Sequence, residues 1–499
     1  MMVASAMLLG VASCSGGNSS STPTTNSAAG TTAPQRTTTT VARPSGPSAT
    51  LTELSGGKGV FLGESTPPDL AKLGYAQHEF AAAGTATAYE AKGARTHDGR
   101  SKLALTSKAA YRTRVLVRAP SDASKFSGNV IVEWLNVSGG LDAGPEWTSL
   151  QQEIVRAGDA WVGVSAQRIG VEGGPVIVPV TGIPGADVAG KGLKKIDRAR
   201  YGNLVHPGDG YSYDIFTQVG RAVRTGGGLG NLQPKRLIAA GESQSAFAMV
   251  TYYDGVQPLT KAFDGFFVHS RAAAGLPISG PGQSVGIQDA IGGGPEIFRT
   301  DQDAPVIDVQ TETDVASILN SYAARQPDND RFRLWEVVGT AHADAHLLGT
   351  SAKYLKCGVP INDGALHVVA KAALRALTRW LDTGTPPRVA PRIDVAPGAS
   401  PTVQRNSDGI ALGGIRTPPV DVPVASLSGV PGPNPSIICL LLGSSKPFSA
   451  ARLAQLYPSR AAYLQKFTAD VDATIKAGFA LPEDRNALLA FAEPSRIAS

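Results

Sequence analysis

The chain has 499 residues, a formal net charge of +5, 42% hydrophobic residues and 17% charged residues. A chain of this length can bury a large core or form two to three domains, and its composition is typical of globular proteins, not of disordered ones. The small net charge, without any lysine- or arginine-rich block, argues against a nucleic-acid partner.

The first residues, MMVASAMLLGVASC, form a short apolar run that ends in a cysteine. The run is too short to span a bilayer and is typical of a signal peptide, so we expect residues 1–13 to be removed on export. The ending Val-Ala-Ser-Cys resembles a bacterial lipobox, and this resemblance implies that Cys14 carries a lipid anchor. The run departs from the usual pattern because no lysine or arginine precedes it.

Residues 14–50 are dominated by serine, threonine, proline and glycine. Such a segment cannot bury enough apolar area to offset its chain entropy. We therefore expect a disordered tether that holds a globular domain off the membrane surface. No later segment is apolar for long enough to cross a bilayer, so the lipid is the only membrane attachment that the sequence predicts.

From about residue 100, short apolar runs alternate with segments of helical spacing. The predicted strands are 114–120, 129–137, 160–167, 236–240, 263–270, 304–310 and 333–339. The predicted helices are 146–158, 211–226, 245–253 and 365–384. Strands that are apolar throughout and alternate with amphipathic helices predict an α/β fold with a mostly parallel sheet, covered by helices on both faces. Active sites of such sheets lie beyond the carboxyl ends of the strands.

Three segments fall outside this alternation and set the predicted domain organisation. Residues 271–303 are rich in glycine and proline, and we expect a lid-like insertion over the strand ends. Residues 385–435 are proline-rich, with short strands near Val403 and Ile410, and they complete a domain at 51–435. Helical patterns after Pro447 predict a C-terminal helical extension at 436–499 that packs on this domain.

Two stretches could present a nucleophilic serine: GESQS with Ser243, and GQSVG with Ser284. A catalytic serine needs a sharp turn between a strand and a helix, where its oxygen is exposed near N–H donors. Ser243 has a strand pattern before it and a helix pattern after it, whereas Ser284 has neither. Ser245 replaces the glycine that usually ends the motif, and it is small enough for the helix to pack on the strand. Ser243 is therefore the predicted nucleophile, and a buried or helix-capping serine is the alternative.

A serine nucleophile needs a base, which is usually an imidazole. His342 lies just past the last predicted strand, at the edge of the sheet where strand-end loops converge, and His346 is the alternative base. The spacing of these two histidines also occurs in metal sites, but no third ligand accompanies them, so we expect no metal.

The acid that orients the histidine should follow the preceding strand. Glu312 and Asp314 both lie there, while Asp308 lies within the strand and is expected to be structural. Asp314 is favoured because one more residue of loop lets its carboxylate turn back toward the imidazole. Glu312 is the alternative acid.

The chain order Ser243, Asp314, His342 is that of the α/β-hydrolase fold. With the segments EWLNVSGG, GESQSA and VVGTAHADAH, it makes residues 100–385 resemble an α/β-hydrolase serine esterase, in a branch of exported α/β-hydrolase-domain lipoproteins. The resemblance implies an oxyanion hole formed by the backbone N–H of Gln244 and a second one near Asn136 or Val137. It also implies that no cofactor is required.

The two remaining cysteines, Cys357 and Cys439, can pair as one disulfide in an exported domain, and two buried free thiols are the alternative. The sequence thus predicts an exported, membrane-tethered enzyme that cleaves a small or lipid-like carboxylic ester. A hydrolase-fold lipoprotein that binds without catalysis is the rival, and the same residues could also cleave a lactone or an amide. Oligomeric state is not indicated by the sequence.

Overall fold

The computed structural model describes residues 43–64, 67–93, 95–183, 185–291, 293–398 and 400–498. From Arg43 onward the chain forms one compact unit. The predicted signal peptide, Cys14 and most of the predicted tether lie outside the described residues.

Within the described residues the strands are β1 (Thr50–Glu53), β2 (Tyr75–Ala91), β3 (Leu103–Pro120), β4 (Asn129–Trp134), β5 (Ala160–Val164), β6 (Arg236–Glu242), β7 (Gly265–His269), β8 (Val306–Thr311), β9 (Phe332–Val337), β10 (Val395–Ala396), β11 (Thr402–Val403), β12 (Ala425–Ser428) and β13 (Ser444–Pro447). The first nine form one sheet in the order β1-β2-β3-β5-β4-β6-β7-β8-β9. From β5 to β9 all neighbours are parallel, and β1 to β3 are added as antiparallel strands at one edge.

The α-helices of the same residues are α1 (Pro145–Ala157), α2 (Arg168–Glu172), α3 (Gly192–Ile196), α4 (Arg198–Tyr201), α5 (Ser212–Arg224), α6 (Gln244–Thr251), α7 (Gln257–Thr260), α8 (Ile287–Ile291), α9 (Glu312–Ala316), α10 (Ala345–Leu348), α11 (Leu366–Thr383), α12 (Pro418–Asp421), α13 (Ile437–Leu441), α14 (Ala450–Leu456), α15 (Arg460–Ala477) and α16 (Arg485–Leu489). No helix among the described residues is both long and apolar enough to span a membrane.

Alternate residues of the central strands point to two separate cores, one on each face of the sheet. Val130 and Val132 of β4 pack with α5 and α6, whereas Ile131 between them packs with α1 and α11. Because both faces are covered, these strands carry apolar residues on both sides, and polar side chains within them, such as Glu133 and Asp308, are buried as well. The expected fold class, a mostly parallel sheet with helices on both faces, is confirmed.

The long hairpin of β2 and β3 is absent from the sequence-based assignment, which contained only 114–120 of β3. Residues 103–110 of β3 are mostly exposed and pair with β2 alone, so they lack the apolar pattern of a buried strand. The start of the domain also differs from the prediction, because Ala49 is buried and its N–H donates to Gln218 O at 3.0 Å. The last residues of the predicted tether therefore belong to the folded unit.

The predicted insertion 271–303 contains α8 and packs against α5 and α6. Tyr213 Oη and Thr251 Oγ1 both donate to Leu276 O, at 3.3 and 2.6 Å. The irregular segment 385–435 contains β10 to β12, and β12 pairs with β13 across α13. α14 to α16 follow, and Phe479 and Leu481 join the core beside α11.

Candidate active site

Ser243 stands on the turn between β6 and α6. Its backbone has φ 57° and ψ −124°, a conformation that costs a non-glycine residue about 1–3 kcal/mol and is found mainly at functional sites. Its N–H donates to His269 O at the end of β7, at 3.0 Å, which holds the turn against the sheet. A Cβ at Gly241 would lie 2.7 Å from Ser245 O, so only glycine lets α6 start this close to β6.

His342 connects this serine to a carboxylate. Its Nε2 lies 2.8 Å from Ser243 Oγ, and its Nδ1 lies 2.7 Å from Asp314 Oδ1. Because ionised Asp314 can only accept, Nδ1 carries the donated proton and Nε2 accepts from the serine hydroxyl. All three side chains are buried. The structure thus brings together the three residues that the sequence nominated as nucleophile, base and acid.

Asp314 is held by the first turn of α9. Its Oδ2 accepts the Thr311 N–H at 2.7 Å, and its own N–H donates to Thr311 Oγ1 at 3.3 Å, so the two residues form a capping box. One carboxylate oxygen is used by the helix cap and the other by His342. The cap therefore fixes the direction in which Asp314 meets the imidazole.

Glu312, the alternative acid, is bonded elsewhere. Its carboxylate accepts the N–H groups of Gly339 at 3.0 Å and Gly429 at 2.8 Å, and the Ser428 hydroxyl at 3.0 Å. It also pairs with Arg405. Glu312 thus ties the loop before the histidine to the β12 end, and Asp314 alone of the two acids contacts His342.

The electrostatics of the pair match a base held ready for a proton. Burial acts to lower the pKa of His342, but the charge and hydrogen bond of Asp314 outweigh it and raise the pKa above its usual value. Burial acts to raise the pKa of Asp314, and the opposite charge of His342 lowers it overall. The lowered pKa keeps Asp314 ionised, so its charge can stabilise a protonated His342.

The predicted oxyanion donors differ in whether the backbone N–H already has a hydrogen-bond acceptor in the protein. Gln244 is the first residue of α6, where a backbone N–H has no intrahelical acceptor. The Asn136 N–H donates to Ala143 O at 2.9 Å, so Asn136 is removed as a donor. Its side chain instead bonds Glu242 O and the Ser138 N–H. Of the two predicted positions in this loop, Val137 remains the candidate.

The family model described as "Alpha/beta hydrolase domain" matches residues 29–490 of the chain. The chain belongs to this family. The match confirms the resemblance that the order of the serine, acid and histidine indicated, and the molecule is an α/β hydrolase. No curated protein sequence matches it.

Several solved structures resemble this α/β hydrolase at low identity. Carboxyl esterase 2 from the fungus Tuber melanosporum is 13% identical, with a TM-score of 0.30, over 53% of this chain and 83% of its own. An esterase from Rhizomucor miehei is 11% identical, with a TM-score of 0.32, over 61% and 85%. An alpha-beta serine hydrolase homologue from Coxiella burnetii is 15% identical, with a TM-score of 0.25, over 46% and 84%.

A cavity of about 200 Å³ opens onto Ser243 and His342 of the α/β hydrolase. Apart from these two residues and Glu242, the described residues that line it lie within 63–64, 136–148, 178–180, 343–348 and 438–441. No described residue of the predicted lid, 271–303, lines the cavity. The insertion contacts the residue after Ser243, because Val285 O accepts from the Gln244 side chain at 3.2 Å.

The buried polar groups behind the triad were missed by sequence reasoning. Glu242 Oε1 lies 3.7 Å from His342 Nε2, and burial raises the pKa of Glu242 to about 7 against the opposing charges of His342 and His269. His269 Nδ1 lies 3.5 Å from Glu146 Oε2; burial acts to lower its pKa, but Glu146 prevails and raises it to about 9. The only signal in the sequence was that Glu242 directly precedes the predicted nucleophile.

The remaining sequence candidates lie apart from the triad. His346 Nε2 is 3.3 Å from Thr148 O, and its ring stacks on His367 with centroids 3.7 Å apart, so it is not placed as the base. Ser284 lies in the loop before α8, with no strand leading into it. In the described part of the chain, no group of three or more His, Cys, Asp or Glu side chains is arranged to hold a metal ion.

Cys357 and Cys439 form a disulfide, with their Cα atoms 5.4 Å apart. Both sulfurs are buried beside Leu442, in a small apolar cluster of their own. The bridge joins α13, which contains Cys439, to the segment that follows α10, which contains Cys357. It therefore links the chain just beyond His342 to the C-terminal segment that contributes to the cavity.

Proposed function

We propose that this α/β hydrolase cleaves a carboxylic ester through a covalent acyl-enzyme on Ser243. The observation that carries the proposal is the unbroken set of short contacts from Ser243 Oγ through His342 to Asp314, at 2.8 and 2.7 Å. Serine becomes a nucleophile at neutral pH only when a base takes its proton, and this geometry supplies the base and its orienting acid.

In acylation, Ser243 Oγ bonds to the ester carbonyl carbon while its proton moves to His342 Nε2. The carbonyl electron pair moves onto oxygen, where the Gln244 N–H and a second donor at Val137 stabilise the negative charge. The bond to the alkoxy oxygen then breaks, and the Nε2 proton passes to that oxygen. The alcohol leaves, and the acyl group remains on Ser243.

In deacylation, a water molecule attacks the acyl carbon and gives one proton to His342 Nε2. The bond between the acyl carbon and Ser243 Oγ breaks, and the proton returns to Oγ as the carboxylic acid departs. Asp314 keeps the imidazole oriented throughout and remains ionised. None of these steps uses a metal or an organic cofactor.

We also propose that the enzyme is exported and tethered to the membrane through Cys14. The apolar run before Cys14, the polar segment after it and the disulfide, which persists mainly in oxidising compartments, support this location. In a bacterial host, the full chain is expected in the membrane fraction and Cys14→Ser in the soluble extracytoplasmic fraction. Equal partitioning of both proteins would contradict the anchor.

The experiment that tests the activity is labelling of the full chain with a fluorophosphonate, followed by peptide mapping. We expect the label on Ser243, lost in His342→Ala and unchanged in the matched control Ser284→Ala. A folded protein that takes no label, and hydrolyses no ester, would be a binding protein on a hydrolase scaffold. Label on Ser284 would show that the nucleophile is assigned to the wrong turn.

A further inference from the structure

The side of the cavity next to His342 is built by a part of the chain outside the central sheet. Ile438 and Leu441 belong to α13, which lies between β12 and β13 in the C-terminal region. Together with Leu347 and Leu348 of α10, these two side chains form an apolar wall of four residues. The mechanism above gives this wall no role.

The apolar wall is attached directly to the histidine loop. The Ala343 N–H, one residue after His342, donates to Leu441 O at 3.1 Å. Asn362 is fully buried and joins the same two parts: its N–H donates to Leu442 O at 3.0 Å and its amide to Gly339 O at 3.1 Å. The position of α13 is therefore fixed relative to the imidazole.

The disulfide stands behind the apolar wall. Cys357 and Cys439 are each 2% exposed, and their cluster includes Leu348 and Ile438, which face the cavity on their other side. Cys439 lies within α13 itself, so the bridge anchors this short helix to the segment that follows α10. A helix of five residues has little stability of its own and depends on such anchors.

A second apolar part of the cavity lining is attached to the predicted oxyanion loop. Val178 and Val180 line the cavity there, and the Val178 N–H donates to Ser138 O at 2.8 Å. Ser138 directly follows Val137, the candidate second donor. The cavity thus has one apolar side beside the proton-transferring histidine and another beside the oxyanion donors.

The chemistry assigns the two halves of an ester to these two sides. His342 Nε2 must deliver its proton to the alkoxy oxygen, so the alcohol half lies next to the imidazole and the apolar wall. The carbonyl oxygen faces Gln244 and Val137, and the acyl half is the remaining substituent, directed away from the imidazole; we assign Val178 to it. We propose that α13 recognises the alcohol half of the substrate, and that Ile438 and Leu441 select an apolar, uncharged alcohol group; this inference rests on the proposed esterase function.

Charge and size narrow the substrate class. Two carboxylates line the cavity, those of Glu242 and of Glu64, and Glu64 pairs with Arg118 at 2.8 Å. None of the described lining residues is a lysine or arginine. Anionic substrates are therefore disfavoured. The cavity has a volume of about 200 Å³, and we expect it to hold a short ester in preference to a long lipid chain.

The assignment has a kinetic consequence that a general loosening of the fold would not produce. The alcohol has left before deacylation begins, so the apolar wall contacts the substrate only during acylation. Ile438→Ala should change kcat/KM according to the alcohol and leave the deacylation rate of a given acyl-enzyme unaltered. Val178→Ala, the matched control on the other side, should change acyl preference and deacylation instead.

The experiment compares butyrates of methanol, butanol and hexanol with methyl esters of acetate, butyrate and octanoate, using the full chain. These aliphatic alcohols have similar leaving-group reactivity, so differences report contacts. We expect Ile438→Ala to change the butyl-to-methyl preference about tenfold, the typical effect of a few buried methylenes, and Ile438→Val to change it less. Cys357→Ala/Cys439→Ala should also lose alcohol discrimination, with an unaltered deacylation rate.

Three outcomes would overturn the inference. If Ile438→Ala shifts acyl preference instead, the two halves are assigned the wrong way round. If a folded, active Ile438→Ala and the double cysteine variant keep the alcohol profile of the unmodified enzyme, α13 does not contact the alcohol. If the unmodified enzyme neither hydrolyses esters nor takes the fluorophosphonate label, the proposed function fails and this inference fails with it.

Discussion

Ser243 and His342 stand just beyond the ends of β6 and β9, whereas Ile438 and Leu441 stand on a short helix between the two strands of a separate small sheet. The first pair is positioned by the backbone of the nine-stranded sheet and by one strained turn. The second pair is positioned by the buried Asn362, by a few loop hydrogen bonds and by the Cys357–Cys439 disulfide. The geometry of Ser243 and His342 thus depends mainly on the sheet, and the shape of the cavity depends mainly on the C-terminal segment, with the hydrogen bonds of Ala343 and Asn362 connecting the two.

The largest expected effect is a difference in kcat between variants of Asp314 and Glu312, the two acids that follow β8. Asp314→Asn should lower kcat about 10⁴-fold with little change in stability, because the neutral amide favours the wrong imidazole tautomer. Steady-state kinetics and thermal unfolding of the purified variant measure both effects.

Glu312→Gln is the matched control for this substitution. Its amide would turn a donor toward the N–H groups that the carboxylate now accepts, so the free energy of unfolding should fall by about 1–3 kcal/mol. The loss of kcat should be far smaller than in Asp314→Asn. A larger loss of activity in Glu312→Gln would show that the two acids have been given the wrong roles.

Removal of the disulfide tests the other side of the comparison. Cys357→Ala/Cys439→Ala opens a bridge between positions 82 residues apart, and the free energy of unfolding should fall by about 2–4 kcal/mol. Fluorophosphonate labelling of Ser243 should continue below the new midpoint, since the serine turn is held by the sheet. Denaturant titration with parallel labelling checks both statements, and a variant that neither folds nor takes the label even without denaturant would contradict the separation.

The strain at Ser243 can be measured with two inactive variants. Ser243→Gly relieves the positive φ, whereas Ser243→Ala keeps it, and both remove the hydroxyl. After allowance for the greater flexibility of unfolded glycine, Ser243→Gly should be the more stable by about 1 kcal/mol. Equal stability of the two variants would mean that the turn stores no strain.

The smallest expected effect concerns pH. The rate constant kcat/KM should rise with pH as His342 loses its proton, and the raised pKa of His342 places this rise above the usual histidine value of about 6.5. Asp314 and Glu242 raise this pKa, and the positive charge of His269 opposes them. Glu242→Gln removes one of the negative charges, so the rise should move to lower pH; movement to higher pH would contradict this account.

The sequence by itself was sufficient for the succession of strands along the chain from β4 to β9, but not for their order in the sheet. Strands β4 to β9 are buried and carry apolar residues on both faces, and the segments that follow β6, β8 and β9 contain Ser243, Asp314 and His342. Local pattern also separated Ser243 from Ser284, because a turn between a strand and a helix is encoded by neighbouring residues. Residues 103–110 of β3 were missed, since they depend on pairing with β2 and not on burial.

Only the tertiary structure decided which of two neighbouring acids contacts the histidine, and which distant residues line the cavity beside it. Glu312 and Asp314 differ by two positions, and the helix cap of α9 selects Asp314 by its direction. The Asn136 N–H was removed as an oxyanion donor by a loop contact that no local pattern encodes. Two residues of the apolar wall, Ile438 and Leu441, lie about a hundred positions beyond His342 and are brought back to it by hydrogen bonds and a disulfide. Local pattern determines what a segment can become, whereas long-range contacts determine which of its groups meet.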